Sequence, residues 1–346
     1  MTEYRLIKAL KRQPVDKTPI WIMRQAGRYL PEYRKVRSSV KDFMSLCKTP
    51  DLACEVTLQP LRRFDLDAAI LFSDILTIPE AMGLDLKFIE GQGPVFANPI
   101  QSKAQIDNLM TVNLLDSLKY VFEAVKLIKH ALPNDKPLIG FSGSPWTLAC
   151  YMIEGSGSKQ FAIIRRFMYE NTTYLHQLLD KLAIAVAEYL IEQIRHGCDV
   201  VKIFDTWGGI LSAETYAQFS LNYMKKIIKL VKKAYPNVPV IVFTKGSGQW
   251  LEQIVNSQAD GIGIDWQTPM KNAYQVINER AAIEGNLDPA VLYADELTIE
   301  VEVKRILSEY GGAPGHVFNL GHGIYPDIAP EKVQFLVDCV HQLSSR

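Results

Sequence analysis

Val200-Val201-Lys202-Ile203-Phe204 (VVKIF, residues 200–204) is a short β-branched and aromatic run, preceded by a long stretch of helical period and followed by the turn residues of Asp205-Thr206-Trp207-Gly208-Gly209. About eight runs of this kind recur along the chain, each separated from the next by a segment of helical period. The others are PIWIM (19–23), AAILF (68–72), PLIGF (137–141), PVIVF (239–243), GIGI (261–264), AAIE (281–284) and HVFN (316–319). Continuous rather than alternating apolar runs mark strands buried on both faces. Between them, Thr49-Pro50-Asp51 opens a helix with an N-cap, a proline at the first helical position and an acid in the first turn, and Ser212-Ala213-Glu214 and Thr268-Pro269 are similar starts. Eight strands alternating with helices predict an α/β fold closed into a parallel barrel, with every strand's C-terminal end on one face. An open doubly wound sheet is the rival and needs fewer strands.

Two connections are long. LDLKFIEGQGPVFANPI (84–100) reads as a hairpin insertion around Gly91 and Gly93, and residues 145–197 have room for more than one helix. With no Pro/Gly/Ser-rich linker and no fixed-period repeat, 1–346 reads as a single domain.

Lys+Arg and Asp+Glu both total 38, so a site for an acidic ligand must come from local placement of basic residues, and nucleic acid is a poor first expectation. The five cysteines include no C-x-x-C pair, which argues against a disulfide framework and fits a reducing compartment. The N-terminal MTEYRLIKALKRQ is amphipathic, with Tyr4, Ile7 and Leu10 at helical spacing, and has no signal-peptide core. No stretch approaches the roughly 18 apolar residues of a membrane span. A cytoplasmic protein with no membrane association is expected.

In a barrel the site is built from loops after the strands. The polar residues there are Arg24 and Arg28, Ser73 and Asp74, Ser142, Ser144 and later Tyr151, Asp205 and Thr206, Thr244 and Lys245, Asp265, Asn286 and Asp288, and Asn319 and His322. Arg24-Gln25-Ala26-Gly27-Arg28, followed by Arg34 and Arg37, places four arginines within fourteen residues. Arginine's planar fork pairs bidentately with carboxylates, so the segment suits a polycarboxylated ligand, with a solvated basic helix face as the alternative. Asp74 ends an apolar strand, where a carboxylate must be paired or used; a helix cap or salt bridge would also satisfy it. His322, between Gly321 and Gly323, suits a ligand-facing loop, and Tyr151 is by default a core aromatic. Gly155-Ser156-Gly157 and Gly246-Ser247-Gly248 are too short for a dinucleotide fingerprint or a P-loop. His196-Gly197-Cys198 has the look of a metal-ligand pair but precedes its strand, on the wrong face, so no metal is expected.

PIWIMRQAGRYLPEYR (19–34) and GFSGSPWTLACYMIEG (140–155) resemble the two signature segments of the uroporphyrinogen decarboxylase family, and FSDIL (72–76), FDTW (204–207) and NLGHG (319–323) fall where that family has its active-site blocks. The resemblance implies a single distorted (β/α)8 TIM barrel with extra N-terminal helices and a hairpin insertion, typically assembled as a homodimer. It implies a carboxy-lyase of haem and porphyrin biosynthesis that needs no cofactor. Its substrate is uroporphyrinogen III, whose four acetate arms become methyls to give coproporphyrinogen III. The implied substrate-contacting residues are Arg24, Gln25, Ala26, Gly27, Arg28, Asp74, Tyr151, Thr206 and His322, with Arg37 as a further basic contact; Thr206 stands where many relatives have serine. Catalytic parts are expected for Asp74, Arg24, Arg28, Tyr151 and His322. A methyltransferase of related fold and a non-catalytic tetrapyrrole carrier are the competing readings.

Overall fold

A computed structural model of the chain describes residues 4–89 and 91–346; Glu90, within the expected hairpin, lies outside them. Nine strands are present among the described residues: β1 (Ala69–Ile70), β2 (Leu86–Ile89), β3 (Gly93–Phe96), β4 (Leu138–Gly143), β5 (Val200–Asp205), β6 (Val240–Thr244), β7 (Gly261–Gly263), β8 (Ala282–Glu284) and β9 (His316–Val317). Seven of them form one sheet in the order β1-β4-β5-β6-β7-β8-β9. Every neighbouring pair in it is parallel, with Ile139 opposite Val200 and Val201 opposite Val240 in the central ladders. The remaining two, β2 and β3, pair antiparallel as a separate hairpin.

The sheet has two packed faces, and successive residues alternate between them as a strand's period of two requires. Trp21, Met23, Ile139, Val200, Ile241, Phe243, Ala282 and Val317 form an inner cluster with Leu6, Ile7, Ala9 and Leu10. Ile20, Ile22, Leu138, Val201, Ile203, Val240, Val242 and Ile283 instead join the larger core beneath the helices. The helix Arg5–Leu10 thus packs onto the inner cluster with its apolar side.

Residues 19–23, expected as the first strand, form no ladder. They make one parallel bridge, Ile20 to Phe318, and the Ile20 carbonyl accepts from the Asp67 N–H at 2.8 Å. The physical reason is that side chains take the donors a ladder would use. Ile20 N–H donates to Asp67 Oδ2 (2.8 Å), Ile22 N–H to Gln25 Oε1 (3.1 Å) and Met23 N–H to Asn319 Oδ1 (2.9 Å). The run 68–72 shortens to β1 for the same reason, because Phe72 N–H donates to Thr57 Oγ1. The sheet is a curled, seven-stranded parallel one in an α/β fold.

Residues 145–197 hold three helices, Pro145–Glu154, Ala162–Glu170 and Thr172–His196. Pro50 and Asp51 stand in the first turn of helix Pro50–Arg63, but Thr49 gives it no side-chain cap; its hydroxyl donates to the Ser45 carbonyl instead. Ser212 caps its helix within a full capping box. At the third expected start Pro269 is the cap and Thr268 is drawn away, its hydroxyl donating to Asp265. No described helix is long and apolar enough to cross a membrane.

Candidate active site

The segment after residue 23 is held from both sides. Asn319 Oδ1 accepts from Met23 N–H and from Leu320 N–H (2.8 Å), while the Met23 carbonyl accepts from Ile324 N–H at 3.0 Å. One amide side chain therefore ties the Arg24 loop to the His322 loop. Arg24 itself sits at φ 66°, a left-handed conformation uncommon outside glycine. Its stem lies against the Cα of Gly323, where any Cβ would collide with Cγ, Cδ and Nε of the arginine. Gly27 is needed in the same way, since a Cβ there would come within 2.9 Å of the Arg24 carbonyl.

The four arginines divide into two kinds. Arg34 donates to the Arg28 and Tyr29 carbonyls (2.7 and 3.2 Å), and Arg37, on helix Pro31–Ser38, donates to the Val40 carbonyl at 3.3 Å. Arg24 and Arg28 are exposed, and among the described residues neither has a carboxylate within ion-pairing distance. Gln25, in contrast, is fully buried with its amide spent on Ile22 N–H and the Ala68 carbonyl (3.1 Å each), so its side chain braces the loop. Ala26 is half-buried beside it.

Arg24 is the electrostatic centre of the group. Burial pushes the Asp74 carboxyl up to about 6, against the Leu76 N–H that donates to its Oδ1 (2.8 Å) and the nearby Arg24 charge. Tyr151, on helix Pro145–Glu154, has its hydroxyl pushed up by burial and pulled back in part by Arg24. Its ring packs edge-on against Phe161 and Trp207, with centroids 6.0 and 6.3 Å apart. Burial, then Arg24, Lys245 and Lys202, hold His322 down at about 3, so its imidazole is neutral throughout the physiological range. Asp74, Tyr151 and His322 thus share one cation as a neighbour. Thr206 is half-buried just after β5, and Arg37 lies near Tyr33 and Cys47, the first of which also feels Arg28 and the second Asp74.

A buried carboxylate sets the wall that carries Tyr151 and Thr206. Asp205 accepts from Ser144 (2.6 Å), Thr147 (3.0 Å), Ser220 (2.7 Å) and Thr244 (3.2 Å) hydroxyls. Ser144 also caps helix Pro145–Glu154 through Thr147 N–H, and Thr147 Oγ1 accepts from Trp207 N–H at 3.2 Å. The start of that helix and the loop after β5 are therefore fixed by one anion. Beneath the mouth, Lys202 forms an ion pair with Glu284, whose second oxygen accepts from Trp21 Nε1 (3.0 Å). Reading VVKIF and AAIE as apolar strands missed this pair; the charged residue inside each run was the signal for it. Among the described residues no three His, Cys, Asp or Glu side chains gather as a metal-ligand group.

The family profile described as Uroporphyrinogen decarboxylase (URO-D) matches residues 1–343. The chain belongs to the uroporphyrinogen decarboxylase family. It is 55% identical over 338 residues to a protein named uroporphyrinogen decarboxylase from Legionella pneumophila (strain Corby), covering 98% of this chain and 96% of that one. To the protein of the same name from Ruthia magnifica it is 56% identical over 342 residues, 98% of this chain and 99% of the other. Among solved structures, a methyltransferase from Methanosarcina mazei superposes with a TM-score of 0.83 over 98% of this chain and 99% of its own, at 23% identity. That likeness concerns the fold alone. At the level of sequence the family's decarboxylases are the relatives, and they match essentially end to end.

Proposed function

We propose that this chain is a carboxy-lyase that decarboxylates the four acetate arms of uroporphyrinogen III to methyls, giving coproporphyrinogen III in porphyrin and haem biosynthesis. The observation that carries the reading is that two exposed guanidiniums, Arg24 and Arg28, stand on one loop without a carboxylate partner among the described residues while the charge of Arg24 acts on the half-buried Asp74, in a chain of this family. The working unit is taken to be one distorted (β/α)8 barrel domain, with residues 19–23 as its eighth strand position, acting as a cytoplasmic homodimer.

Loss of carbon dioxide leaves an electron pair that needs a sink. Protonation of a pyrrole α-carbon makes the ring cationic; the electrons of the C–CO2 bond then pass into it as carbon dioxide departs. A proton added to the resulting exocyclic methylene and one lost from the α-carbon leave a methyl and the restored pyrrole, a net uptake of one proton per arm. The substrate thereby supplies the sink that a cofactor supplies in other decarboxylases. Asp74 is assigned to the pyrrole N–H groups and to the cation, and Arg24 and Arg28, with Arg37, to the carboxylate arms. The backbone of Gln25, Ala26 and Gly27, together with Tyr151, Thr206 and His322, completes the contact surface.

Incubation with uroporphyrinogen, with no added metal or cofactor, should lower the product mass in four successive losses of carbon dioxide; an unchanged mass overturns the proposal. Because Asp74 titrates near 6, kcat/KM should fall on the acid side of about pH 6 as the anion is lost. His322, neutral down to about 3, has no proton to give in that range and is assigned to hydrogen bonding. His322→Asn is therefore expected to raise KM several-fold while leaving the pH dependence of kcat between pH 5 and 9 unchanged in shape. Loss of a limb in that profile would instead make His322 the proton carrier.

A further inference from the structure

We infer that Lys245 is a further carboxylate-binding residue, seated across the mouth from Arg24, where it takes a side-chain carboxylate on the far edge of the macrocycle. This rests on the carboxylate-rich substrate proposed above.

The first ground is position. Along the parallel order, β7, β8 and β9 separate β6 from the bridge that Ile20 makes with Phe318, and β5, β4 and β1 separate it from the Asp67–Ile20 hydrogen bond on the other side. The segment bearing Arg24 is thus four places from β6 in either direction. Lys245, the first residue after β6, and Arg24, the first after residue 23, stand on opposed walls.

The second ground is that the lysine backbone is fixed while its ammonium is not committed. Lys245 N–H donates to the Asp205 carbonyl (3.4 Å), Gly246 N–H donates to Asp265 Oδ2 (2.5 Å), and the Lys245 carbonyl lies so close to Gly209 that no side chain fits there. Gly246, at φ 75°, turns the chain sharply away. The ammonium lies 5.8 Å from the centroid of the Trp266 ring, and among the described residues it has no carboxylate partner. An ammonium held over an aromatic face keeps its charge and its donors available. Beside this wall the loops after β6 and β7 border an open cavity of about 350 Å³, lined by Gly246, Gly248, Gln249, Gln267, Thr268 and Asn272 among others. Its neutral hydrogen-bonding rim suits the solvated part of a carboxylate arm.

The third ground is chemical economy. A macrocycle carrying carboxylates around its whole perimeter cannot be held flat by cations on one wall, because the arms opposite Arg24 and Arg28 point away from them. Lys245 is the cation on that side whose charge, with those of Arg24 and Lys202, acts on His322.

The test is equilibrium binding of uroporphyrin, the oxidised octacarboxylate, followed by quenching of porphyrin fluorescence in the full-length chain. Lys245→Met is expected to raise Kd about tenfold, equivalent to about 1.4 kcal/mol, and Lys245→Arg to stay within about threefold of the parent chain. The salt dependence of binding should flatten in Lys245→Met, since one charge contact is gone. An unchanged Kd in Lys245→Met overturns the inference, as does an equal loss in Lys245→Arg, which would mark a packing role. Failure of the parent chain to decarboxylate uroporphyrinogen sinks the proposed activity instead, and leaves the binding comparison as the reading of Lys245.

Discussion

Asp74→Asn is expected to lower kcat for decarboxylation about a thousandfold while leaving the protein at least as stable as the parent at pH 8. The catalytic half follows from charge. A carboxylate about 4 Å from a developing pyrrole cation, at an effective dielectric of about 20, contributes on the order of 4 kcal/mol, which corresponds to roughly three decades in rate. Asparagine keeps the oxygen that accepts Leu76 N–H at 2.8 Å, so the local turn survives and only the charge is removed. The stability half follows from linkage. The folded chain holds the Asp74 proton more tightly than the unfolded one, with its carboxyl raised from 3.8 to about 6. That contribution is fully present below the unfolded value and is lost as pH rises through about 6, where the ionised group must stay in a desolvated place. The parent chain should therefore lose stability relative to Asp74→Asn between about pH 4 and pH 6, and the gap should stay constant above that window. Thermal unfolding at pH 4.5 and pH 8, alongside turnover with uroporphyrinogen, checks both halves. Near-normal turnover in Asp74→Asn removes the cation-stabilising role. A variant less stable than the parent at pH 8 would show that the carboxylate is a structural ion.

The residues that were legible in the sequence are those whose neighbours are close along the chain. VVKIF, PVIVF and PLIGF announce β5, β6 and β4 because continuous apolar runs admit few other placements, and Ser212 announces a helix because its capping partner is three residues away. PIWIM has the same pattern and predicts a strand, yet the N–H groups of Ile20, Ile22 and Met23 go to Asp67, Gln25 and Asn319. Two of those three partners are far away in sequence, and no periodicity encodes them. The arginines illustrate the same limit. Four guanidiniums in one segment are visible at once, but that Arg34 is tied to carbonyls and Arg24 is not depends on how the chain folds back at residue 28. Gln25 stood beside Arg24 in the matched motif and was expected at the ligand; its side chain is used to hold Ala68. Lys202 and Glu284 lie 82 residues apart and meet only because alternate residues of β5 and β8 face the same interior.

Lys202→Met is expected to destabilise the chain by about 3–5 kcal/mol, because it strands the Glu284 carboxylate where water does not reach. Both side chains are almost wholly buried, at 0% and 2% exposure. Burial pulls the Lys202 ammonium down from its ordinary value, and the Glu284 charge opposes that pull. The ammonium also lies 4.8 Å from the Trp21 ring centroid, 5.0 Å from that of Phe204 and 5.4 Å from that of Phe243, so its surroundings beyond Glu284 are largely aromatic. Removing Glu284 as well should reverse most of the loss. In Lys202→Met/Glu284→Gln both charges of the pair are gone, and the glutamine carbonyl can still accept from Trp21 Nε1, as Glu284 Oε2 does at 3.0 Å. The double variant should recover to within about 1–2 kcal/mol of the parent, since a neutral replacement of a buried pair is often tolerated, and the two single variants with the double form a cycle that reads the coupling. Denaturant unfolding of the four chains decides it: a Lys202→Met chain as stable as the parent, or a double variant no better than the single, contradicts the assignment. The consequence for the site runs through Asn319. Its amide donates to Glu284 (3.5 Å) while its carbonyl holds Met23 and Leu320, so a refolded double variant that binds porphyrin weakly would trace the loss to the Arg24 and His322 loops. The ion pair is in this sense a floor under the mouth: it costs desolvation, and what it returns is one fixed arrangement of the two loops that meet above it.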